Sequence, residues 1–310
     1  MFATEETEQG EWDRQDDEFR DWVTRDGSSG YPAETGRYHL YVSLACPWAH
    51  RTVIVRMLKR LEDVIGLTVV DPIRNDEDGW AFRTGPGHSE DPINGWDFLK
   101  QAYTATNPSF RSRVTVPVLW DMQTGRIVSN VDEDIMRMLN AAFDDYTDSD
   151  LNLTPAELLP EIDRVNDFVY PNVNDGVYRC GFASTQHAYE AAVLALFDAL
   201  DKLDERLSMQ RYLVGSVITE ADWRLFPTLI RFDAVYHGHF KCNIRRVIDY
   251  PNLHGYTLDL YQQRGVADTV DFDHIKRHYY VTHDDINPTQ VVPLGPHMDL
   301  NAPHGRDAIG

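Results

Sequence analysis

Lysine is scarce in this 310-residue chain: only Lys59, Lys100, Lys202, Lys241 and Lys276 are present, and arginine supplies nearly all the positive charge. There are three cysteines, Cys46, Cys180 and Cys242, widely separated and none in a CxxC pair. That spacing argues against a disulfide framework and against a zinc site, so reduced thiols in a cytoplasmic protein are the expectation and no metal is assigned. No apolar run approaches the ~20 residues that span a bilayer. The N-terminus is acidic (Glu5-Glu6-Thr7-Glu8), where a leader would be basic and then apolar or amphipathic. No membrane association is expected.

Acidic charge is abundant. Fifty Asp and Glu against 29 Lys and Arg leave a formal net charge of -21. Repulsion from phosphates makes nucleic acid an unsuitable partner. The acids are spread along the chain and not gathered in one block. A diffuse acidic surface with little lysine fits a salt-rich (halophilic) cytoplasm, where counterions screen self-repulsion.

Residues 1–37 read as a polar arm, irregular apart from one short helix. Tyr38-His39-Leu40-Tyr41-Val42-Ser43 is rich in β-formers and reads as a strand. Pro47 suits the first turn of a helix, where a missing N–H costs nothing, and Val53, Ile54, Met57, Leu58 and Leu61 recur at helical spacing. Gly66 is read as the end of that helix and Leu67-Thr68-Val69-Val70 as a second strand, giving a βαβ unit. Residues 72–112 read as irregular. Val114 to Trp120 reads as a strand interrupted by Pro117. Gly125 marks a hairpin turn before Ile127-Val128, and Ile135, Met138, Leu139 and Ala142 form one face of a further helix.

This order, β-α-β then β-β-α, predicts an α/β, thioredoxin-like domain over 38–143. An acidic linker follows over 144–155, and then an all-α domain over 156–310. Leu158, Ile162, Val165 and Val169 form one helical stripe there, and Val193, Leu196, Leu200, Leu203 and Leu207 another. Thr219 and Asp222 read as a capping box. No convincing strand appears beyond Ile127-Val128, and the Pro- and Gly-rich tail from about 284 reads as extended.

Two features carry chemistry. Cys46 precedes Pro47 and so stands at a helix N-cap, where unsatisfied N–H groups and the helix dipole favour a negative charge. One pKa unit is ~1.4 kcal/mol, so a helix end worth ~0.3–2 kcal/mol lowers a thiol pKa by about one unit. The thiolate is the nucleophile. An isolated cysteine is by default an inert buried residue; the strand-Cys-Pro-helix setting reverses that default. His50 and Arg51 on the same helix add positive potential. The second feature is Val116-Pro117. A proline inside a β-rich run marks an edge strand, a bulge or a cis bond. A cis bond would turn the Val116 N–H and C=O outward to pair with an extended thiol peptide.

The run YVSLACPWAHRT (Tyr41 to Thr52), with RVTVPVLWD (Arg113 to Asp121), resembles the Xi-class glutathione transferases, the glutathionyl-hydroquinone reductases. The resemblance continues through NDGVY (Asn174 to Tyr178), TEADWRL (Thr219 to Leu225), IRFDAVYHGHFKCN (Ile230 to Asn243), FDHIKRHYY (Phe272 to Tyr280), INPT and GPHMDLNAPHGRD, covering nearly the whole chain in order. It implies a thioredoxin-like domain followed by an all-helical one, a homodimer, and Cys46 as catalytic nucleophile. It also implies a small thiol cosubstrate, with no bound cofactor. By the same resemblance Trp80, Arg113 and Val116 with Pro117 hold that thiol, and Tyr178, Tyr236 and Tyr279 line the acceptor pocket. Two other readings share the fold: a broader thiol transferase of omega type, and a binding protein without catalysis.

One departure stands out. After Asn130 the family usually has Glu-Ser to hold the γ-glutamyl end, and this chain has Val131-Asp132. Valine makes no polar contact there. Asp132 can accept from an ammonium or cap the helix that begins at this point. The departure makes γ-glutamylcysteine or another small thiol an alternative to glutathione.

Overall fold

The computed structural model describes residues 5–309. They divide into two compact units: one of residues 16–152 with 268–282, the other of residues up to 15 with 153–267 and 283 onward.

The first unit is built on a four-stranded sheet. Its strands are β3 (Tyr38–Val42), β4 (Gly66–Val69), β5 (Val118–Asp121) and β6 (Arg126–Ser129), in the order β4-β3-β5-β6. β3 and β4 run parallel, while β5 is antiparallel to both β3 and β6. Helix α1 (Pro47–Leu58) makes the β3-to-β4 crossover, α2 (Lys100–Thr106) precedes β5, and α3 (Asp132–Ala141) follows β6. This is the thioredoxin-like arrangement expected from the sequence. Every residue of β3 is buried, as a central strand covered on both faces requires. Ile135, Met138 and Leu139 of α3 are fully buried.

Several details differ from the sequence reading. The arm contains no helix among its described residues; it carries a two-stranded parallel pair, β1 (Val23–Thr24) with β2 (Tyr31–Pro32). Gly66 opens β4 and does not end α1, which stops at Leu58. A side chain at Gly66 would overlap the ring of His39 on the neighbouring strand. Residues 72–112 are not wholly irregular, because α2 buries Ala102, Tyr103 and Thr106.

The second unit is helical: α4 (Leu159–Val169), α5 (Gly176–Gly181), α6 (Gln186–Met209), α7 (Glu220–Arg231) and α8 (Pro251–Tyr261). Among the described residues no strand follows β6. Asp222 caps α7, accepting from the Thr219 N–H at 2.8 Å, and it also accepts from the Leu213 N–H at 2.9 Å and the Tyr256 hydroxyl at 2.8 Å. The tail is anchored by Arg306, whose guanidinium donates to the carbonyls of Leu207, Gln210 and Arg211 at 2.7–2.8 Å.

Helix α9 (Phe272–Arg277) lies in the last stretch of the thioredoxin-like unit. The domain boundary read at 156–310 therefore requires correction. Residues 268–282 are fastened to the first unit by side chains: His274 to the Pro86 carbonyl and His278 to the Pro72 carbonyl, both at 2.7 Å, and Thr269 to His50 at 2.8 Å. The arm read as 1–37 likewise divides, residues up to 15 going with the helices and the rest with the sheet. No described helix is long and apolar enough to cross a membrane.

Asp121 closes the end of β5. It is fully buried and accepts from both arms of the Arg37 guanidinium, at 2.9 and 2.7 Å. Burial raises its carboxyl pKa, but Arg37, the Thr124 hydroxyl and the Gln123 N–H outweigh burial and hold it below the usual carboxylate value. A carboxylate depressed in the folded state contributes stability above its unfolded pKa and loses it as pH falls through the folded value. Asp121→Asn leaves Arg37 with only the exposed Glu34 carboxylate, 3.6 Å away, and should cost about 3 kcal/mol at neutral pH. The deficit relative to wild type should shrink as the pH falls below the usual carboxylate range, measured by denaturant unfolding at neutral and acid pH.

Candidate active site

The sheet topology gathers one set of chain ends. β3 runs out toward Cys46, and β5, antiparallel to it with Val118 opposite Tyr41, begins just after Val116-Pro117. β6, antiparallel to β5 with Ser129 opposite Leu119, ends just before Val131-Asp132. The three segments singled out in the sequence therefore share one edge of the sheet.

Cys46 is the N-cap of α1 and Pro47 its first residue. The Cys46 carbonyl accepts from the His50 N–H at 3.0 Å, and its own N–H donates to the Ser43 carbonyl at 3.1 Å. Cys46 is half-buried, while Cys180 and Cys242 are buried. Its Sγ lies 3.5 Å from the Val116 carbonyl oxygen. The Val116-Pro117 bond is cis, one of the alternatives the sequence left open. Two opposed influences act on the thiol. The helix N-terminus favours the thiolate, whereas a carbonyl that accepts from S–H favours the neutral form.

His50 and Arg51 are engaged elsewhere. His50 pairs with Thr269, and Arg51 donates to the Asp132 carboxylate at 2.8 Å, both partners being buried. Asp132 is not the cap of α3: Val131 holds the N-cap position, and Asp132 is the first helical residue. An ion pair buried to this degree depends on its partner, because a lone buried charge is costly. Its two members are 81 positions apart, and nothing local in the sequence announces the pairing.

Trp80 is 5 % exposed, with its ring stacked on His278 at 5.0 Å. Tyr279 is buried in the same unit and meets His278 edge-on at 5.2 Å. His278 thus bridges two expected site residues, and it escaped the sequence reading although it stands in the quoted FDHIKRHYY block. Arg113 is half-buried on the loop leading into Val116-Pro117.

The other two tyrosines belong to the helical unit. Tyr178 and Tyr236 lie 6.0 Å apart between ring centres, and both contact Phe240, at 5.3 and 5.6 Å. A side chain at Gly181 would overlap the Phe240 ring, so glycine lets this cluster close. Arg14 lies over Tyr178 at 4.9 Å and is bonded to Asp175 at 2.7 Å. Burial opposes its charge, and Asp175 with the nearby phenols outweighs burial and raises its pKa.

Two of the three tyrosines lie in π-helical turns, and Tyr178 stands in α5 shortly after a third. Tyr178 follows Tyr170–Asn174, Tyr236 ends Phe232–Tyr236, and Tyr279 lies within His278–Thr282. Such turns are rare and occur often at functional sites. Among the described residues there is no cluster of His, Cys, Asp and Glu able to hold a metal ion.

Residues 45–142 match the model of the glutathione S-transferase N-terminal domain, and residues 186–257 that of the glutathione S-transferase C-terminal domain. The chain belongs to the glutathione transferase family, in its Xi class. It is 48% identical over 305 residues to glutathionyl-hydroquinone reductase YqjG of Escherichia coli (strain K12), covering 96% of this chain and 93% of that protein. It is 52% identical over 272 residues to glutathionyl-hydroquinone reductase PcpF of Sphingobium chlorophenolicum, covering 88% and 87%. The glutathione-bound structure of YqjG superposes with a TM-score of 0.91 over 94% of this chain and 96% of that one, at 48% identity. The Xi transferase of Phanerochaete chrysosporium gives a TM-score of 0.91 at 49% identity, over 94% of each chain.

In this Xi-class chain the three thiols differ sharply in access. Burial pushes the Cys242 thiol well above its ordinary pKa. One equivalent of iodoacetamide at neutral pH should therefore label Cys46 alone, with Cys180 and Cys242 reacting only after denaturation. Peptide mass mapping reads this directly.

Proposed function

We propose that this protein is a thiol-dependent reductase of glutathionyl-hydroquinone-type conjugates, working through a mixed disulfide on Cys46. The observation that carries the reading is Cys46 itself: a half-exposed thiol at a helix N-cap, 3.5 Å from the Val116 carbonyl. A serine or tyrosine in its place could activate a thiol but could not form a disulfide. The reductase names of YqjG and PcpF support the same reaction.

In the first half-reaction the Cys46 thiolate attacks the sulfur of the conjugate. A Cys46–thiol disulfide forms and the ring carbon–sulfur bond breaks. Its electron pair stays with the ring carbon, which takes a proton to give the hydroquinone. In the second, another thiolate attacks the sulfur of the small thiol in the mixed disulfide, releasing the oxidised thiol dimer and the Cys46 thiolate. The ring is reduced by two electrons, and two small thiols are oxidised to one disulfide.

Trp80, Arg113, Val116 and Pro117 are assigned to the thiol, and Tyr178, Tyr236 and Tyr279 to the acceptor, whose oxygens their hydroxyls can hydrogen-bond. Glutathione is the cosubstrate suggested by the bound YqjG structure. Asp132, spent on Arg51, is a poor receptor for an ammonium group, so γ-glutamyl recognition rests on other groups here. The reading places the enzyme in a salt-rich cytoplasm as a homodimer.

Intact-protein mass spectrometry after exposure to a glutathionyl-hydroquinone should show a gain equal to the thiol. The gain should be absent in Cys46→Ala, with turnover reduced at least about a thousandfold. No gain on wild type would overturn the reductase reading. Equal turnover of simple mixed disulfides would favour the omega-type transferase. A panel comparing glutathione with γ-glutamylcysteine tests the Val131-Asp132 departure: strong preference for glutathione would show that the departure does not alter selection.

The net charge of -21 makes a further prediction. Self-repulsion across the surface is screened within ~3 Å at 1 M salt. Thermal stability should therefore rise markedly from low salt to molar salt. Equal melting temperatures would rule out salt adaptation.

A further inference from the structure

Val116 is held in place by what happens one residue earlier, at Thr115. Every polar atom of Thr115 is engaged. Its N–H donates to the Tyr103 hydroxyl at 3.2 Å, and its carbonyl accepts from that hydroxyl at 2.9 Å. Its own hydroxyl donates to the Asp17 carboxylate at 3.1 Å and accepts from the Asn130 side-chain amide at 3.0 Å. The same Asp17 oxygen accepts from that amide at 3.0 Å. Asp17, Thr115 and Asn130 thus form a closed triangle of hydrogen bonds.

The corners of this triangle sit on three separate stretches of chain. Thr115 leads into Val116, whose carbonyl meets the Cys46 sulfur. Asn130 leads into Val131-Asp132, where the family's γ-glutamyl contact would be made. Asp17 comes from the arm, and its segment is docked independently. The Phe19 N–H donates to the Asn130 side-chain oxygen at 3.0 Å, and the Asn130 N–H donates to the Phe19 carbonyl at 3.2 Å. The Asp21 N–H donates to the Val128 carbonyl at 2.9 Å. The Phe19 ring packs on Tyr103 and Phe110 at 5.7 and 6.1 Å.

We propose that Asp17 is a positioning residue for the thiol cosubstrate, because its carboxylate ties the Thr115-Val116 loop to the Asn130-Val131 turn. The proposal rests on the reductase reading above. Asp17 acts through Thr115 and Asn130 and does not touch the reacting sulfur. Its removal should loosen the Thr115-Val116 segment, whose backbone is assigned to the thiol, from its anchor on the Asn130 turn while leaving the nucleophile intact. Pre-organised binding segments lower the ordering cost of association, so loosening them weakens binding.

The test compares wild type with Asp17→Ala, Asp17→Asn and Thr115→Val. Calorimetric binding uses S-methylglutathione and S-methyl-γ-glutamylcysteine, which bind without reacting. Asp17→Ala removes two charge-assisted hydrogen bonds, from Thr115 and Asn130, and should weaken binding of the probe that wild type takes by about tenfold, since only part of that loss reaches the thiol site. KM for the thiol should rise by the same factor, with kcat within about twofold and the alkylation rate of Cys46 unchanged. Asp17→Asn keeps an acceptor oxygen and should restore binding to within about threefold. Thr115→Val keeps the shape but removes the hydroxyl, and carries the test should Asp17→Ala fail to fold. It should match Asp17→Ala, and the two together should cost little more than either alone. Unchanged probe binding in Asp17→Ala, or a loss in kcat alone, would overturn the proposal. Failure of the reductase reading is visible separately, as wild type that takes up no thiol on Cys46.

Discussion

The 3.5 Å approach of the Cys46 sulfur to the Val116 carbonyl is the contact on which the thioredoxin-like unit turns. It exists because β3 and β5 are antiparallel neighbours, so that the end of one and the beginning of the other meet. The sheet, the helices α1, α2 and α3 packed on it and their buried ties keep that edge in register. The Arg37–Asp121 pair closes the opposite end of the same two strands, where Asp121 faces Tyr38. One strand pair is thus pinned by charge at one end and carries the nucleophile at the other.

At that edge the protein balances two tendencies. The N-terminus of α1 draws negative charge onto Cys46, and the Val116 carbonyl favours the protonated thiol. Neither His50 nor Arg51 supplies an uncommitted positive charge, since each is already bonded within its own unit. Two backbone features act on the nucleophile: the helix end, and the carbonyl before Pro117. Backbone groups cannot be altered by single substitutions, which makes the side chains that position them, Thr115 and Asn130 among them, the adjustable parts of the site.

Much of this was readable in the sequence, for reasons particular to each residue. Cys46 was legible because Pro47 marks a helix start immediately after a β-rich run. The hairpin was legible because Gly125 must adopt a positive φ, which is 63° here. Val116-Pro117 was legible only as a set of alternatives, since a proline in a strand has several explanations. Helix α2 escaped because it is one short stretch with three buried residues after a segment full of glycine and proline. The Arg51–Asp132 pair escaped because no local pattern joins residues so far apart. Residues 268–282 fall within the stretch read as an all-α domain, but a helical reading says only that a face is buried, not against which unit. Their allegiance is set by His274, His278 and Thr269, whose partners lie more than 180 positions earlier.

The departure at Val131-Asp132 gains a different meaning from its structural setting. Read alone, an aspartate at that point suggests a receptor for an ammonium group. In the fold Asp132 is 7 % exposed and its carboxylate answers the charge of Arg51 on α1. Freeing it for a ligand would leave a guanidinium buried without its counter-charge, at a cost of several kcal/mol, which exceeds what one exposed ammonium contact returns. The acidic residue is thus committed to joining α1 and α3, the two helices that begin at the active edge. On the proposed assignment, selection of the thiol then falls to the backbone of Val116 and to Trp80 and Arg113, with the γ-glutamyl end the part of the cosubstrate specified least.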